Sequence, residues 1–390
     1  MRWAAAVVAA GLLTLVPGTA EHPRRREDPD ALAAAAASFM NRARVTGDAS
    51  LYAQAETACD RALALRPDHY DALRVRAWVL DGQHRFAEAA VAARRARSIR
   101  PSDPFNLGTL GDALVELGDY DGAAAAFQAM LDLRPDAASY ARGAYLRELY
   151  GDVAGAEELM TEAVKAAGPG DLAWYRSQLG DLRFARGDAR GAAIEHREAL
   201  RVAPRSHAAL AGLARAAAAL GQQEQAVALY SRSLEIFPSP AIAAELGELL
   251  DHLGRPGPAA RSFALVEAAA ELGGFDRQIA VIHADRGIDV LGAWRAAEAS
   301  LASRRDVYGY DAVAWCALKA GQLERARQAA REATALGTQD ARLLYHAGMI
   351  ALASGDAAEA RHRLSQALET NPHFGLRDAA IARRALRELS

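Results

Sequence analysis

Proline recurs in this sequence at a nearly constant interval. The series stands at Pro67, Pro101, Pro135, Pro169, Pro204 and Pro238, with spacings of 34, 34, 34, 35 and 34 residues, and Pro372 lies 134 residues beyond its last member. Self-similarity at a period of 20 to 50 residues is the signature of a repeat architecture, in which each unit buries its apolar face against its neighbours. We therefore expect a stack of like units, each about 34 residues long.

Glycine marks a second position in each period. Glycines stand at residues 118, 151, 187, 221, 254, 287, 321 and 355, again 33 to 36 residues apart. Glycine can adopt the left-handed conformation that closes a helix, whereas proline lacks the N–H needed to continue one. One of each per period predicts two helices per unit, joined as a hairpin.

Small residues recur on the packing faces of both helices. In residues 107–136, Leu107, Leu110 and Leu114 follow the 3.6-residue apolar rhythm of one helix, which Gly111 shares, and Ala123 lies on the apolar face of the next. The first column contains Ala43, Ala77, Gly111, Ala144, Gly180, Ala214, Gly247, Ala314 and Gly348; the second contains Ala55, Ala89, Ala123, Ala156, Ala192, Ala226, Ala259, Ala326 and Ala360, with Gly292 as the departure. We predict close helix contacts at both columns.

The pattern resembles the tetratricopeptide repeat, a 34-residue unit of two antiparallel helices with small residues at positions 8, 20 and 27 and proline at position 32. The resemblance extends from about residue 36 to residue 372. It is close in residues 104–137, where the matching residues are Leu107, Leu110, Gly111, Ala123, Phe127 and Pro135. It implies an all-α fold, a right-handed α-solenoid of about ten hairpins with a C-terminal capping helix.

This register divides the chain into segments. We predict a signal peptide at 1–20, a charged leader at 21–35, regular repeats one to six at 36–238, irregular repeats seven and eight at 239–306, repeats nine and ten at 307–372, and a capping helix at 373–390. The register loosens after residue 238 because Pro256, Gly257 and Pro258 crowd one turn and the closing prolines are missing. This irregular segment is either a pair of longer helices or a bend.

The N-terminus resembles a secretory signal. An apolar run from Trp3 to Val16 precedes small residues that suit signal peptidase, and its 14 residues are too few to span a bilayer comfortably. We expect cleavage before Glu21 and export to the periplasm, cell envelope or exterior. The arginines at 24–26 favour two alternatives, an uncleaved membrane anchor and a misassigned start codon, because positive charge tends to stay in the cytoplasm.

Composition gives little support for nucleic-acid or redox chemistry. The net charge of −3 shows no strongly basic character, so no nucleic-acid partner is predicted. Membrane contact is expected only through an uncleaved N-terminal segment. The two cysteines, Cys59 and Cys316, lie 257 residues apart in a stack where each repeat touches only its neighbours, so we expect two buried thiols and no disulfide.

No motif predicts catalysis. The chain has no glycine-rich phosphate loop, no paired cysteines and no His-Glu-x-x-His helix, so we assign no catalytic residue, no metal site and no cofactor. His196 falls in the column that Phe127 and Tyr230 occupy elsewhere, which favours a packed structural histidine. His346 and His362 have no recognised ligand spacing.

Two function classes remain open. The first is a non-catalytic scaffold that binds a peptide or protein in its concave groove, in a bacterial envelope or secreted assembly, since the C-terminal run resembles exported bacterial proteins of this architecture. The second is an enzyme or regulator with its site in residues 239–306, where the sequence offers the titratable and charged residues Asp276, Arg277, His283, Asp285 and Arg286.

The resemblance also implies which residues line the groove, because positions 2, 5, 9 and 12 of the first helix face it in this family. Reading them off gives Arg74, Trp78, Phe105, Asp112, Tyr145, Trp174, Ser177, Asp181, Arg215, Glu248, Trp315, Tyr345 and Met349. Aromatic and arginine side chains dominate many interfaces, so we predict partner contacts here. The alternative is that Trp78, Trp174 and Trp315 belong to the core, because neighbouring helices can cover position 9.

Overall fold

The described part of the chain is built entirely from helices. A computed structural model describes residues 27–46, 50–273 and 276–389, and within them it contains 21 α-helices and no strand. The predicted signal peptide and the start of the charged leader lie outside the described residues. The helices are α1 (Pro29–Thr46), α2 (Ser50–Leu65), α3 (Tyr70–Gly82), α4 (Phe86–Ile99), α5 (Pro104–Glu116), α6 (Tyr120–Leu133), α7 (Ala137–Leu149), α8 (Val153–Ala166), α9 (Leu172–Ala185), α10 (Ala189–Val202), α11 (His207–Ala219), α12 (Gln223–Ile236), α13 (Pro240–His252), α14 (Pro256–Leu272), α15 (Asp276–Arg286), α16 (Val290–Leu301), α17 (Val307–Lys319), α18 (Leu323–Thr334), α19 (Ala341–Ala353), α20 (Ala357–Thr370) and α21 (Leu376–Leu389).

Consecutive helices pair as ten hairpins, which we number repeats 1 to 10 and whose members we call helix A and helix B. The all-α solenoid predicted from the sequence is therefore confirmed. The first helix begins at Pro29, so part of the predicted leader is already helical. The irregular segment forms repeats 7 and 8, with a long α14 of 17 residues and a short α15 of 11.

The turns between helices A and B follow the predicted glycine column. Gly118 has a φ of 77° and its seven counterparts from Gly151 to Gly355 are also left-handed, as the helix-closing role requires. His84 holds the same position in repeat 2, with a φ of 60°. In five repeats of the described chain an aspartate caps helix B; Asp119, for example, accepts a hydrogen bond from the Gly122 N–H.

The small residues of helix A make room for a large residue of helix B in the same repeat. A Cβ added at Gly111 would lie 2.2 Å from Phe127, and one at Gly180 would lie 2.8 Å from His196. His196 is fully buried, which confirms its structural role, and burial lowers its pKa to about 4. The small-residue columns are therefore sites of close helix contact, as predicted.

Both cysteines are buried and free, as expected. Burial raises the pKa of each thiol to about 12, so neither forms a reactive thiolate near neutral pH. Across the described residues, no helix combines the length and hydropathy needed to cross a bilayer.

The solenoid coils so tightly that distant repeats touch. Turns that follow helix B in repeats 8, 9 and 10 donate hydrogen bonds to main-chain carbonyls at or near the ends of helix A in repeats 3, 4 and 5. The bonds run from the Arg305 N–H to Glu116 O, from Thr338 Oγ1 to Leu149 O, and from Asn371 Nδ2 to Phe184 O. We call these contacts the seam; it joins residues 187 to 189 positions apart, about five and a half repeats.

Side chains reinforce the first contact of the seam. Arg304 Nε donates to a Glu116 carboxylate oxygen at 2.7 Å, and both side chains are about one-fifth exposed. The Tyr120 hydroxyl accepts a hydrogen bond from the Val307 N–H at 2.8 Å. A largely buried, hydrogen-bonded ion pair is stronger than a surface pair, so we expect the contact of Arg304 with Glu116 to hold repeats 3 and 8 together.

The capping helix α21 also reaches across the coil. Its Ala379, Ala382 and Ala385 are buried, whereas its arginines are exposed, as the capping prediction requires. Besides its neighbour α20, it contacts α13 of repeat 7, and Arg377 donates to the Asp285 carbonyl of repeat 8. The C-terminus therefore closes against the concave side of the solenoid.

Loss of the seam should loosen the coil without unfolding the hairpins. We expect the double variant Arg304→Gln with Thr338→Val to lower the free energy of unfolding by roughly 1–3 kcal/mol, because it removes one ion pair and one buried hydrogen bond. Small-angle scattering should give a larger radius of gyration, and the Arg305 and Val307 amides should exchange faster. The matched control is Thr334→Val, whose hydroxyl bonds only its own helix. An unchanged radius and unchanged amide exchange would show that the seam does not hold the coil closed.

Candidate functional site

The helix A faces contribute to three concave surfaces; the third, of about 700 Å³, is lined mainly by α13, α15 and α21 and shares Glu248 with the second. The first, which we call the N-terminal groove, is a cavity of about 390 Å³ lined by residues of α1, α3 and α5, including Asp30, Asp71, Arg74, Trp78 and Phe105. The second, which we call the interior cavity, has a volume of about 610 Å³ and lies between helices A of repeats 5 to 7 and the facing parts of repeats 9 and 10 and α21. Both sizes fall in the range of ligand sites.

An aromatic and cationic cluster dominates the N-terminal groove. The rings of Trp78 and Phe105 meet edge to face with centroids 6.1 Å apart, and the Arg74 guanidinium lies 4.3 Å from the Phe105 ring centre. All three side chains are partly exposed. The Arg74 Nε is buried but has no hydrogen-bond partner among the described residues, although Asp103 lies 3.9 Å away. The groove thus offers apolar surface next to a partly exposed guanidinium group.

The interior cavity exists because the solenoid closes on itself. Asp181, Arg215 and Glu248 reach it from α9, α11 and α13, whereas Tyr308 and Arg342 reach it from α17 and α19 on the far side. The seam contact between Asn371 and Phe184 lies at its wall. A solenoid with an open coil would leave these two groups of residues apart.

One set of charges in the cavity is internally satisfied. The Arg215 guanidinium donates to Asp181 at 2.9 Å and to Glu245 at 3.0 Å, and the Tyr230 hydroxyl donates to the same Glu245 at 2.8 Å. Glu245 and Asp181 outweigh the effect of burial and raise the pKa of Arg215 further. Burial and the nearby Glu245 likewise raise the pKa of Tyr230. This network fixes one wall of the cavity.

A second set of charges has no partner. Within the described residues, neither the Glu248 carboxylate nor the Arg342 guanidinium makes a hydrogen bond or an ion pair shorter than 4 Å. Burial raises the pKa of Glu248 to about 7; Asp378 and Asp285 contribute in the same direction, while Arg342 and Arg377 oppose the increase. Glu248 therefore changes charge close to neutral pH.

Three of the thirteen predicted groove residues are buried. Ser177 is 1% exposed and its hydroxyl bonds the Ala173 carbonyl of its own helix, while Trp315 and Tyr345 are each 1% exposed. Trp315 stacks on His346 of the next repeat at 4.1 Å and donates to Asp285 of the preceding one at 2.7 Å. For Trp315 the core alternative is thus correct, because neighbouring helices cover position 9.

Of the other ten predicted residues, six line one of the two cavities and four line neither. Arg74, Trp78 and Phe105 share the N-terminal groove, and Asp181, Arg215 and Glu248 share the interior cavity. Four lie in neither: Asp112 is held by a two-pronged ion pair with Arg142, Tyr145 and Met349 are partly buried, and Trp174 is 53% exposed. Trp174 is therefore not a core residue, but it lines neither of the two cavities.

The irregular segment uses its charged residues for packing contacts. Arg277 pairs with Asp306 at 2.8 Å, His283 contacts Glu267 at 3.0 Å, and the Arg286 guanidinium lies 3.7 Å from the Phe263 ring centre. Asp285 accepts the Trp315 indole N–H. Among the residues that the structure describes, no three histidine, cysteine or carboxylate side chains are grouped as metal ligands.

The far wall of the cavity was missing from the predicted set. Tyr308, Asp311 and Arg342 line it, and they occupy positions 2, 5 and 2 of repeats that begin at Val307 and Ala341. The same register that selected Phe105 and Arg74 could therefore have selected them. What the register could not show is that they face Glu248, because that depends on how tightly the solenoid coils.

The difference in stability between a Glu248→Gln variant and the wild type should increase with pH. The folded-state pKa of about 7 exceeds the unfolded value of about 4.3, so the carboxylate destabilises the wild type progressively as pH rises from about 4 to 7. Glutamine cannot ionise, so the variant should gain on the order of 1–3 kcal/mol relative to wild type over that window. Urea unfolding at pH 4.5 and pH 8 measures this change in the free energy of unfolding. The same change at both pH values would contradict the prediction.

Comparison with known proteins places the repeats in one family. A sequence model of the tetratricopeptide repeat matches residues 40–104, 109–171, 177–241 and 314–373, which leaves residues 242–313, and so nearly all of the irregular segment, unmatched. No protein of curated function matches the chain.

Solved structures with a similar fold are distant in sequence. A tetratricopeptide repeat protein from Parabacteroides merdae is 20% identical, with 65% of this chain and 98% of that chain covered and a TM-score of 0.37. Yeast Tom70 is 15% identical over 93% of this chain and 90% of its own, with a TM-score of 0.40. A Thermus thermophilus tetratricopeptide repeat protein is 21% identical over 48% of this chain and 99% of its own, with a TM-score of 0.41.

The matched segments cover more than half of the chain, and each begins inside a helix A and extends through most of two consecutive hairpins. Proteins with these repeats are generally scaffolds that bind protein or peptide partners. The chain belongs to the tetratricopeptide repeat family.

Proposed function

We propose that the protein is a non-catalytic scaffold that binds a segment of a partner protein in its N-terminal groove. The observation that carries this proposal is the cluster of Trp78, Phe105 and Arg74, which is partly exposed at the predicted groove positions. Tryptophan and arginine are the side chains that most often dominate interfaces, because they bury much area at modest entropic cost.

The lining of the groove specifies the kind of segment that fits. Ala33, Ala37 and Val75 join Trp78 and Phe105 to form an apolar floor, which accepts an apolar side chain of the partner. Asp30 and Asp71 also line the groove, and their carboxylates suit a basic residue beside that apolar anchor. An extended or helical segment with one apolar and one basic side chain therefore matches the groove.

We further propose that the scaffold acts outside the cytoplasm, in a bacterial envelope or secreted assembly. The support is the apolar run from Trp3 to Val16 with small residues after it, which has the length of a secretory signal. Export would place the N-terminal groove close to the processed end of the chain, since α1 contributes to it.

Replacing Trp78 by alanine should weaken partner binding strongly without unfolding the protein. Partners would be captured by crosslinking in the native cell, identified, and then measured with purified variants. We expect Trp78→Ala to weaken binding at least tenfold, because a central aromatic anchor is lost, and to change the melting temperature little, because the ring is partly exposed. The matched control is Trp294→Ala on helix B of repeat 8, away from the groove. Undiminished binding by the Trp78 variant would contradict the proposed groove.

Removal of the predicted signal peptide can be tested separately. The purified mature protein should begin at Glu21 and be recovered outside the cytoplasm, which N-terminal sequencing and cell fractionation measure. An intact N-terminus on soluble cytoplasmic protein would rule out the export proposal and leave the groove proposal standing.

A further inference from the structure

The second contact of the seam has a carboxylate on each side. Thr338 Oγ1 donates there to the Leu149 carbonyl of repeat 4. Glu148 is the neighbour of Leu149 near the end of α7, and Asp340 follows Thr338 by two residues and caps α19. Both carboxylates are partly buried. The hydrogen bond therefore holds together two chain segments that each carry an acidic side chain.

The backbone at this contact lets the two sides come very close. Gly151 lies against the Gly337 carbonyl oxygen, so a Cβ at residue 151 would collide with it. The counterparts Gly221 and Gly254, in repeats 6 and 7, have open space around them instead. An approach this close leaves little room for water to screen charges on the two sides.

The first contact of the seam matches its acidic side chains with arginines. Glu116 pairs with Arg304 at 2.7 Å, and Asp306, which caps α17, pairs with Arg277 at 2.8 Å. The second contact lacks that match, because Thr338 stands 34 residues after Arg304 and takes its place.

Glu148 and Asp340 have no arginine of their own. Among the described residues neither carboxylate makes an ion pair within 4 Å, and Asp340 accepts hydrogen bonds from the Arg342 and Leu343 N–H groups of its own helix. The second contact therefore sets acidic groups against each other across the seam, whereas the first sets acid against base.

The surroundings of Glu148 favour its neutral form. Burial raises the pKa of Glu148 to about 7, and the charges of Asp340 and Asp181 act in the same direction. Tyr145 and Tyr308 also face these carboxylates, and burial raises the pKa of both hydroxyls, so they remain uncharged near neutral pH. Glu148 is thus the group at this contact that changes charge near pH 7.

Opening of the coil relieves the ionised form of Glu148. Asp340 lies on the far side of the seam, so separation takes its charge away from Glu148 and admits water to both carboxylates. The pKa of Glu148 is then lower in the open coil than in the closed one, and the closed coil binds the proton more tightly. Ionisation of Glu148 consequently favours the open coil as pH rises through about 7.

We propose that Glu148 and Asp340 form a proton-controlled latch, which closes the coil when Glu148 is protonated and loosens it when both carboxylates are charged. The effect reaches the interior cavity, because Tyr308, Asp340 and Arg342 line its far wall. Release of the latch separates that wall from the helices A of repeats 5 to 7 and opens the cavity to solvent.

The latch does not depend on the N-terminal groove. Residues of α1, α3 and α5 line the groove, whereas the latch joins α7 to the turn before α19. A failed partner-binding experiment at Trp78 would leave the latch unaffected, and the reverse also holds.

The test measures hydrogen exchange in the full-length protein at pH 5.5 and pH 8. The Arg305 and Val307 amides donate across the seam and report its opening, whereas the Ala293 amide bonds within repeat 8 and serves as the reference. After correction for intrinsic exchange, we expect the protection of the two seam amides to fall at least about fivefold between pH 5.5 and pH 8. The protection of Ala293 should change less.

Two variants assign the effect to the latch. Glu148→Gln cannot ionise and should remove most of the fall in protection. Asp340→Asn keeps a side chain that can cap the helix but loses the charge, so it should reduce the fall. The matched control is Glu158→Gln on the exposed face of α8, which should respond to pH as the wild type does.

Melting curves at pH 5.5 establish that the variants fold. An equal fall in the seam and reference amides would show that pH acts on overall stability rather than on the seam. That result, or a wild-type response to pH in either folded latch variant, would overturn the proposal.

Discussion

The seam determines what kind of concave surface this protein has. Hairpin packing alone specifies a stack, and a stack can coil loosely or tightly. Hydrogen bonds from three successive turns to the ends of three successive A helices fix one tight coil, because the donors and acceptors recur at the same interval as the repeats. The closed interior, the position of α21 and the juxtaposition of Glu248 with Arg342 all follow from that closure.

The same positions of the repeat acquire different roles along the coil. Position 9 is Trp78 in repeat 2, where it remains partly exposed, and Trp315 in repeat 9, where α15 and α19 cover it. The difference does not lie in the residue type. It arises from what lies opposite: the beginning of the solenoid keeps an open groove, whereas the end packs against the capping segment through contacts such as Tyr345 with Phe374.

The sequence predicted the local structure well because local structure depends on short-range rules. Gly118 and its column and the close helix contact at Gly111 each involve residues of a single hairpin. The candidate sites were predicted only in part. Arg74, Trp78 and Phe105 meet because adjacent repeats stack, whereas Glu248 and Arg342 line one cavity only because the solenoid coils, and no short-range pattern encodes the pitch of that coil.

The long separation across the seam also orders the assembly of the molecule. Hairpin contacts join residues from one repeat or its neighbour, whereas seam partners lie 187 to 189 residues apart, and such contacts form late because a long loop must close first. During synthesis, α1 to α5 can complete the N-terminal groove while the C-terminal half of the chain does not yet exist. The interior cavity, by contrast, can form only after α21 has been added, because residues from Asn371 to Arg383 line it.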